Sequence, residues 1–551
     1  MKMKLIALLA AGAATGTVIA GEPALLDALK AGDHDGALKL LAAGADAKVR
    51  GNDGTTTVML AAYNGDADLT QRLVKAGADV NAVNDYGATA LSEASIAGSV
   101  PIIKTLLGAG ADAKRVNGEG ETALMEVART GNVEAAKLLL AAGTDINAQE
   151  LWGGQSALMW AAARSQPEMV KLLLSKGANA NARGLERDWQ RRILTEPRPK
   201  DMNRGGFTAL LYAAREGCIE CARNLVAGGA DINLPDPERV TPLSLAINNL
   251  HYDLATYLIE AGADVDKWDL FGRTPLYQAV DMNTLPTQGS GSMSALPSMD
   301  KRTGYDVAKT LLEHGANANI QLKRRPPYRN VPNDRGGDTM LSVGATPLLR
   351  AARAGDTRVV KLLLEHGALV DLPSNNGDTP LMAAAGVDFG LRVTRGRNRT
   401  KEDVLATMQV LVDAGADVNA RNMAEPGTGD KPYEGVTSAA RVGNYQFRLR
   451  GAQVPSPNAV PHRTALHGAA QRGYDYVVKF LAEHGAELDA RDVNGKTPLD
   501  LAMGNYSEDF LRQKPEPHPT TVALLKSLLA ANASSATSAI KAAAGGADTA
   551  E

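Results

Sequence analysis

The stretch of sequence that decides the fold is NGEGETALMEVARTGNVEAAKLLLAAGTDINA, residues Asn117–Ala148. The Thr122 hydroxyl can accept an otherwise unpaired backbone N–H and so cap a short helix. That helix has one apolar side and ends at Gly131, and a second helix from about Val133 ends at Gly143, where glycine can adopt the left-handed conformation. Each helix is shorter than the roughly 12–15 residues that an isolated helix needs in water. The unit must therefore bury its apolar side against copies of itself.

Copies of this unit recur along nearly the whole chain. The terminal Gly-Ala-Asp, or a close variant, recurs at Gly44, Gly77, Gly110, Gly143, Gly177, Gly229, Gly262, Gly315, Gly367, Gly415 and Gly485. The start signal Thr-x-Leu, or a close variant, recurs at Thr56, Thr89, Thr122, Ser156, Thr208, Thr241, Thr274, Thr346, Thr379, Thr464 and Thr497. Five copies place a proline directly after the threonine, at the first helical position, where a missing N–H has no cost. The first four glycines are 33 residues apart.

A 33-residue period with Thr-Pro-Leu openings and Gly-Ala-Asp-Val-Asn endings resembles the ankyrin repeat. The resemblance covers nearly everything from Glu22 to Ala531. It implies an all-α solenoid of about twelve helix-turn-helix repeats with β-hairpin fingers and several loop insertions, whose core runs along its axis. It also implies a function in binding another macromolecule.

The repeats predict the domain organisation. The boundaries are a signal peptide at 1–20, repeats 1–5 at 21–183, an inserted finger at 184–205, repeats 6–8 at 206–319 with an insertion at 281–304, an inserted finger at 320–345, repeats 9–10 at 346–420 with an insertion at 386–402, an inserted finger at 421–463, repeats 11–12 at 464–532 with an insertion at 504–520, and a tail at 533–551. The tail is rich in Ala, Ser and Gly, which are too small to pack, so we expect it to be disordered. Residues 421–463 are either a loop or a degenerate half-repeat. In the fifth and seventh repeats Ser165 and Leu250 replace the turn glycine, so we expect the concave row to be irregular there.

The first 20 residues resemble a secretory signal peptide, with Lys2 and Lys4 before an apolar run and small residues before Gly21. The alternatives are a helical extension of the first repeat and a membrane span, for which about 20 strongly apolar residues are needed. We expect an exported protein, most simply in a bacterial periplasm, with no transmembrane segment in the mature chain.

Charge is distributed unevenly. The formal net charge of −3 argues against nucleic acid as a partner. The three inserted fingers nevertheless each carry an excess of three basic residues, counted over 183–205, 320–345 and 421–463. They also contain several of the few aromatic residues. Arginine together with aromatic side chains is the composition of binding hot spots.

The resemblance implies that the two residues before each turn glycine face the concave, partner-binding side. The candidate partner-binding residues are Tyr63, Arg129, Arg164, Arg215, Arg353 and Arg472 in that row, and Trp189, Arg324, Arg325 and Tyr328 in the inserted fingers. The arginines either simply solvate the solenoid or form a positive groove for an acidic protein surface or an anionic envelope polymer. Binding of such a partner should weaken as salt is raised.

The chain has two cysteines, Cys218 and Cys221, at the start of a second helix. Residues three apart on a helix are within disulfide reach. A disulfide closing this four-residue loop would contribute about 2 kcal/mol by the chain-entropy estimate. The alternatives are packed free thiols and a redox or metal site, which lacks a βαβ context and a second ligand pair.

Catalytic motifs are missing from the sequence. It contains no His-Glu-x-x-His, Gly-x-Ser-x-Gly, Walker or dinucleotide-binding pattern. His314, His366 and His484 precede terminal glycines, where an imidazole can bond the last helix carbonyls. His467 matches the Thr-Pro-Leu-His corner of the ankyrin repeat. We therefore expect a non-catalytic scaffold without metal or cofactor; the alternatives are an envelope structural element that binds an anionic polymer and a thiol–disulfide redox protein using the two cysteines.

Overall fold

A computed structural model describes residues 24–187, 204–284, 298–324, 343–386, 399–422, 462–506 and 516–545. Within these ranges the chain forms helices and isolated β-bridges, without a regular strand. The chain divides into two compact units. Unit 1 runs to Leu185 and includes Ala227–Gly229, and unit 2 comprises Glu186–Val226 and the residues from Ala230 onward.

Ten described helices of unit 1 alternate between the first and the second helix of a repeat. They are α1 (Ala24–Lys30), α2 (His34–Ala42), α3 (Thr57–Tyr63), α4 (Ala67–Lys75), α5 (Ala90–Ala97), α6 (Val100–Gly108), α7 (Ala123–Thr130), α8 (Val133–Ala141), α9 (Ala157–Ala163) and α10 (Pro167–Ser175). The first helices α3, α5, α7 and α9 pack side by side in one layer, and the second helices α4, α6, α8 and α10 pack in another. Helices this short depend on their neighbours for stability.

The remaining described helices continue the same alternation. They are α11 (Ala209–Glu216), α12 (Ile219–Ala227), α13 (Pro242–Asn248), α14 (Tyr252–Glu260), α15 (Pro275–Asn283), α16 (Gly304–Glu313), α17 (Pro347–Ala354), α18 (Thr357–Glu365), α19 (Pro380–Ala385), α20 (Lys401–Asp413), α21 (Ala465–Gln471), α22 (Asp475–Glu483), α23 (Pro498–Ala502) and α24 (Pro519–Gly545). In unit 2 the first helices α11, α13, α15, α17, α19, α21 and α23 form one stack. The all-α repeat architecture predicted from the sequence is confirmed.

The stretch that decides the fold behaves as its sequence predicts. The Thr122 hydroxyl accepts a hydrogen bond from the backbone N–H of Met125 at 3.3 Å and caps α7. Leu124 and Val127 are fully buried. Gly131 ends the helix with a φ of 76°, in the left-handed region where only glycine is unstrained. The other predicted start residues cap first helices too, and proline occupies the first turn of α13, α15, α17, α19 and α23.

Asparagine side chains connect consecutive repeats, a feature that sequence reasoning missed. The Asn81 side-chain amide donates to the Gly110 carbonyl at 2.9 Å, and its oxygen accepts from the Asp112 N–H at 2.8 Å. Asn319 makes the same pair of bonds to residues 367 and 369, and Asn419 makes them to residues 485 and 487. Each amide therefore satisfies backbone groups left unpaired at the end of the next second helix.

The two repeats that lack a turn glycine keep the regular turn. Ser165 has a φ of 54° and Leu250 a φ of 66°, so both adopt the left-handed conformation that glycine adopts elsewhere. The irregular concave row expected in these two repeats stays a prediction. The packing of α9 on α10 and of α13 on α14 determines the backbone there and outweighs the local preference of serine and leucine.

We expect Ser165→Gly to raise the free energy of unfolding by about 1 kcal/mol, because glycine adopts a positive φ without the Cβ strain. Ser165 is exposed, so little packing is lost. Urea unfolding of the purified chain measures the change. Ser165→Ala, which keeps the strain and removes the hydroxyl, is the matched control; equal stability of the two variants would contradict the explanation.

Two expectations about irregular regions need correction. The tail predicted to be disordered from residue 533 is helical as far as Gly545, as part of α24. Alanine has the highest helix propensity, and extending an existing helix avoids the cost of nucleation. In the described ranges the fingers contain only the isolated bridges Arg50 to Thr56, Val116 to Thr122 and Glu186 to Gly205 instead of regular hairpin strands.

Several predicted segments lie outside the described residues. They are the signal peptide at 1–20, residues 188–203, 285–297, 325–342, 387–398, 423–461 and 507–515 of the fingers and insertions, and residues 546–551 of the tail. The choice between a loop and a half-repeat at 421–463 therefore stays a prediction. No helix in the part of the chain that the structure describes combines the length and the apolar composition that crossing a bilayer requires.

Candidate partner-binding surface

Four first helices of unit 1, α3, α5, α7 and α9, each carry two residues that stay partly or largely exposed. Counted from the capping residue, these are the fifth and the eighth positions. The fifth positions are Leu60, Glu93, Glu126 and Trp160, and the eighth positions are Tyr63, Ile96, Arg129 and Ala163. Tyr63 is 61% exposed and Ile96 is 44% exposed. We call these eight residues the open row of unit 1.

Three side chains of the open row contact one another. The Arg129 guanidinium lies 2.6 Å from a Glu126 carboxylate oxygen and 5.8 Å from the centroid of the Trp160 ring. The arginine predicted to meet a partner is thus already paired within the chain. It keeps 35% of its side-chain surface exposed.

Burial changes the ionisation of the carboxyl groups in this row. The pKa of Glu126 is raised to about 7, chiefly by burial and to a smaller extent by Glu121 and Glu93, against the opposing effect of the Arg129 charge. Burial also raises the pKa of Glu93. A carboxylate removed from water favours its neutral form unless a cation compensates it. Burial therefore shifts the carboxyl groups of the open row toward their neutral form.

The corresponding positions in the middle of unit 2 are buried by the chain itself. Gln278 and Asp281 on α15 are 1% and 5% exposed, and Arg350 and Arg353 on α17 are 0% and 4% exposed. The prediction that Arg353 contacts a partner is therefore wrong in this structure. The sequence pattern could not show that this section of the row is covered.

A buried ion pair joins the first helices of these two repeats. The Arg350 Nε lies 2.7 Å from an Asp281 oxygen, and another guanidinium nitrogen donates to the Thr284 hydroxyl at 2.6 Å. Sequence reasoning missed this pair. The available signal was a charged residue at the fifth position, where most repeats carry an uncharged side chain.

The other predicted residues differ in their surroundings. Arg215 is 44% exposed, lies 2.7 Å from Glu216 and is stacked 4.9 Å from the centroid of the Tyr212 ring. Arg164 is exposed, and Arg472 and Arg324 are half-buried. Trp189, Arg325 and Tyr328 lie outside the described residues. A role for these residues in binding stays a prediction.

The finger tips of unit 1 expose large apolar side chains that the sequence reasoning did not select. Tyr86, Leu151 and Trp152 are 74%, 68% and 66% exposed. Neighbouring fingers are joined by main-chain hydrogen bonds, such as that from the Leu151 N–H to the Glu119 carbonyl at 2.9 Å. The available signal was the adjacent Leu-Trp pair before two glycines. Large apolar side chains in an exposed turn often mark an interaction site.

The two cysteines form the disulfide that the sequence favoured. Cys218 and Cys221 are bonded, with their Cα atoms 5.2 Å apart, and Cys221 is fully buried at the start of α12. The alternative of packed free thiols is contradicted. Within the described ranges, no three histidine, cysteine or carboxylate side chains converge in a way that could hold a metal ion.

The histidines have structural surroundings. The Nδ1 atoms of His314, His366 and His484 lie 2.9, 2.9 and 2.7 Å from the carbonyl four residues earlier, as predicted. His467 is fully buried, and its Nδ1 accepts from the Thr464 N–H while its Nε2 lies 3.2 Å from the Lys496 carbonyl. Burial lowers the pKa of His467 to about 4. The imidazole therefore stays neutral and stabilises the corner that begins α21.

Comparison with known proteins identifies the repeat type. A family model described as ankyrin repeats matches residues 25–117, 97–184, 210–288, 304–422 and 439–513. The chain is 30% identical to the ankyrin repeat protein YahD of Escherichia coli over 228 residues, which cover 37% of this chain and 95% of that protein. It is similar in structure to the human ASB11 ankyrin repeat domain, with a TM-score of 0.37 and 24% identity, over 44% of this chain and 99% of that domain.

Longer relatives match over only part of their length. The chain is 24% identical to a transient receptor potential cation channel subfamily A member 1 homolog of Caenorhabditis elegans, over 55% of this chain and 28% of that protein. It is 33% identical to the B-cell lymphoma 3 protein homolog of Mus musculus, over 34% of each chain. The chain therefore spans about a third of the length of these two relatives.

Proposed function

Because the chain belongs to the ankyrin-repeat family, we propose that it is a non-catalytic scaffold that binds another protein through the open row of unit 1 and the inserted fingers. The observation that carries this proposal is the exposure of Tyr63 and Ile96 in consecutive repeats. Aromatic and aliphatic side chains in a row are costly to leave in water and become anchors when a partner covers them. Ankyrin repeats are in general interaction modules, which agrees with this assignment.

The composition of the inserted fingers supports a finer proposal about the partner. Each finger carries three more basic than acidic residues, and Arg324 and Arg325 lie next to the stiff Pro326-Pro327 pair. Such fingers are suited to an acidic protein surface. The signal-peptide-like sequence of residues 1–20 supports a proposal that this interaction takes place outside the cytoplasm, in a periplasm. An anionic envelope polymer is the alternative ligand for the same fingers.

Affinity capture of a protein partner from periplasmic extract tests the proposal. We expect one stoichiometric partner with the wild-type chain and at least about tenfold less of it with Tyr63→Ala, since a central aromatic anchor contributes about 2 kcal/mol or more. Leu369→Ala, which removes a similarly exposed apolar side chain in unit 2, is the matched control. Arg324→Ala with Arg325→Ala tests the fingers. Recovery of polymer without a stoichiometric protein would contradict the scaffold assignment and favour the alternative.

A further inference from the structure

Two cations share one aromatic ring at the finger tips of unit 2. The Arg239 guanidinium carbon lies 4.5 Å, and the Lys323 ammonium nitrogen 3.3 Å, from the centroid of the Trp268 ring. Main-chain hydrogen bonds join these fingers, such as that from the Lys323 N–H to the Phe271 carbonyl at 3.0 Å. Side chains of three consecutive fingers therefore meet at one place. We call Arg239, Trp268 and Lys323 the finger-tip cluster.

Arg239 occupies a position that is glycine in the neighbouring fingers. Its φ is 66°, and the equivalent residues Gly206 and Gly272 have φ values of 68° and 82°. An arginine in this left-handed conformation carries a strain that glycine avoids. Stacking on the Trp268 ring offsets part of that strain, but the arginine is exposed. Local backbone preference alone would favour glycine at this finger tip.

The two cations of the cluster are not compensated by a carboxylate in the described part of the chain. Neither Arg239 nor Lys323 forms an ion pair there. The pKa of Lys323 is lowered by partial burial and by the charge of Arg239, whereas a nearby carboxylate would raise it. Glu238, half-buried beside Arg239 in sequence, is balanced by Arg324, which follows Lys323. An anion bound between the two cations would therefore relieve their repulsion.

The other acidic side chains of these fingers have partners of their own. Asp236 is buried, and one of its oxygens accepts two main-chain N–H groups of its turn at 2.8 and 2.9 Å. Asp269 is buried 2.7 Å from the Arg273 guanidinium. Carboxylates at the bases of the fingers accept main-chain N–H groups: Asp231, Asp264 and Asp266. These contacts leave the positive charge of the finger-tip cluster available to a ligand.

We infer that the finger-tip cluster binds a carboxylate from an acidic segment of a protein partner. One carboxylate oxygen would accept from the Arg239 guanidinium and the other from the Lys323 ammonium, with the Trp268 ring supporting both cations. This inference rests on the scaffold function proposed above. It assigns the acidic partner surface to three named residues of regular repeats, beside the inserted fingers.

The distribution of charge along the fingers favours a protein segment over an anionic polymer. A polymer gains affinity from cations repeated along its path. On one side of the cluster, the finger at residues 371–378 contains no lysine or arginine. On the other side, Arg204 is already paired with Glu186 at 3.0 Å. An isolated pair of cations suits a single carboxylate on a protein surface.

Fluorescence anisotropy with two labelled peptides tests the inference on the full mature chain. One peptide alternates glycine with glutamate and the other alternates glycine with glutamine, each over about 12 residues. We expect the glutamate peptide to bind at least about tenfold more tightly. Arg239→Gly and Lys323→Gln should each weaken its binding about threefold, and the two together about tenfold.

The matched control is Lys309→Gln with Lys361→Gln, which removes the same charge from exposed positions of second helices in unit 2. We expect this control to change the affinity by less than about twofold. Equal binding of the two peptides, or a loss in the control as large as in the double variant of the cluster, would overturn the inference. So would displacement of the glutamate peptide by polygalacturonate at a lower carboxylate concentration than unlabelled peptide requires, because the site would then prefer a polymer.

Urea unfolding distinguishes a binding role of Arg239 from a structural one. Because glycine relieves the backbone strain, the unfolding midpoint of Arg239→Gly should be no lower than that of the wild type. If the midpoint falls, Lys323→Gln decides the question, since this lysine is exposed. Weaker binding of the glutamate peptide by Lys323→Gln then supports the inference, and unchanged binding overturns it.

The capture experiment separates failure of this inference from failure of the scaffold function. If Tyr63→Ala lowers capture of the partner but the glutamate peptide binds no better than the glutamine peptide, the acidic segment is overturned and the scaffold function stands. If no stoichiometric protein is captured, the scaffold function falls, and this inference falls with it.

Discussion

Arg350→Met is expected to lower the free energy of unfolding of unit 2 by about 3–5 kcal/mol, the cost of removing one partner from a buried ion pair. The Arg350 side chain is completely buried, and its guanidinium bonds Asp281 and Thr284 on a neighbouring repeat. Methionine fills most of the volume but removes the guanidinium that bonds the Asp281 carboxylate. Losing a charge-assisted bond to a buried carboxylate is more costly than losing an apolar contact.

Urea unfolding measures this loss of stability. A second substitution distinguishes loss of the ion pair from loss of packing as its cause. Arg350→Met with Asp281→Leu removes both charges, so we expect it to recover most of the lost stability. Lys361→Met on α18 is the matched control, because this lysine is exposed and its loss should cost less than about 0.5 kcal/mol. A double variant as unstable as Arg350→Met would show that lost packing, and not the lost ion pair, causes the loss of stability.

Acidification from pH 6.5 to pH 4 is expected to remove about 3 kcal/mol of stability through His467 alone. Burial depresses the pKa of this imidazole from 6.5 to about 4, and the nearby cations Arg463 and Arg421 depress it as well, against Asp492 and the Lys496 carbonyl. In this window the unfolded chain binds a proton at residue 467 and the folded chain does not. Stability therefore falls as the pH falls, and the loss is complete once the folded imidazole is protonated.

The pH dependence of His467→Gln isolates this contribution. We measure the free energy of unfolding in urea at pH 6.5 and at pH 4. Between these two pH values it should fall by about 3 kcal/mol less in the variant than in the wild type. The comparison with wild type is needed because Glu126 acts in the opposite sense: its pKa is raised to about 7, so acidification stabilises the fold at that residue. An unchanged slope in His467→Gln would contradict the assignment.

The parts of the fold that repeat were predictable because each depends on local chemistry. Thr122 can cap a helix, and Gly131 can adopt a positive φ, whatever the rest of the chain does. The same local argument predicted the carbonyl contact of His314 and the short reach between Cys218 and Cys221, and the structure confirms both.

The candidate surface was less predictable because burial depends on residues distant in sequence. Arg129 and Arg353 occupy the same position of their repeats, but one is 35% exposed on its side chain and the other is buried. Nothing in the sequence near Arg353 distinguishes the two. The carboxyl groups at Glu93 and Glu126 were overlooked for a related reason: their effect comes from stacking adjacent repeats, which places two ordinary glutamates beside each other.

Ser165 and the tail show the two directions in which local reasoning fails. At Ser165 the packing of two helices overrides an unfavourable backbone preference. From residue 533 to Gly545 no packing is needed, because alanine continues a helix that is already formed. At Ser165 the local preference of serine therefore counts for less than packing, whereas for the tail our prediction gave too little weight to the helix propensity of alanine.

The asparagine bonds between repeats have a consequence for how this chain can change in length. Asn81 reaches a carbonyl 29 residues ahead, whereas Asn419 makes the same contact with Gly485, 66 residues ahead. The bond holds the stack in register however much chain lies between its two ends. Foreign sequence grafted between Asn419 and Gly485, at residues 423–461, should thus leave the neighbouring repeats intact, which makes this segment a natural place to install a new specificity.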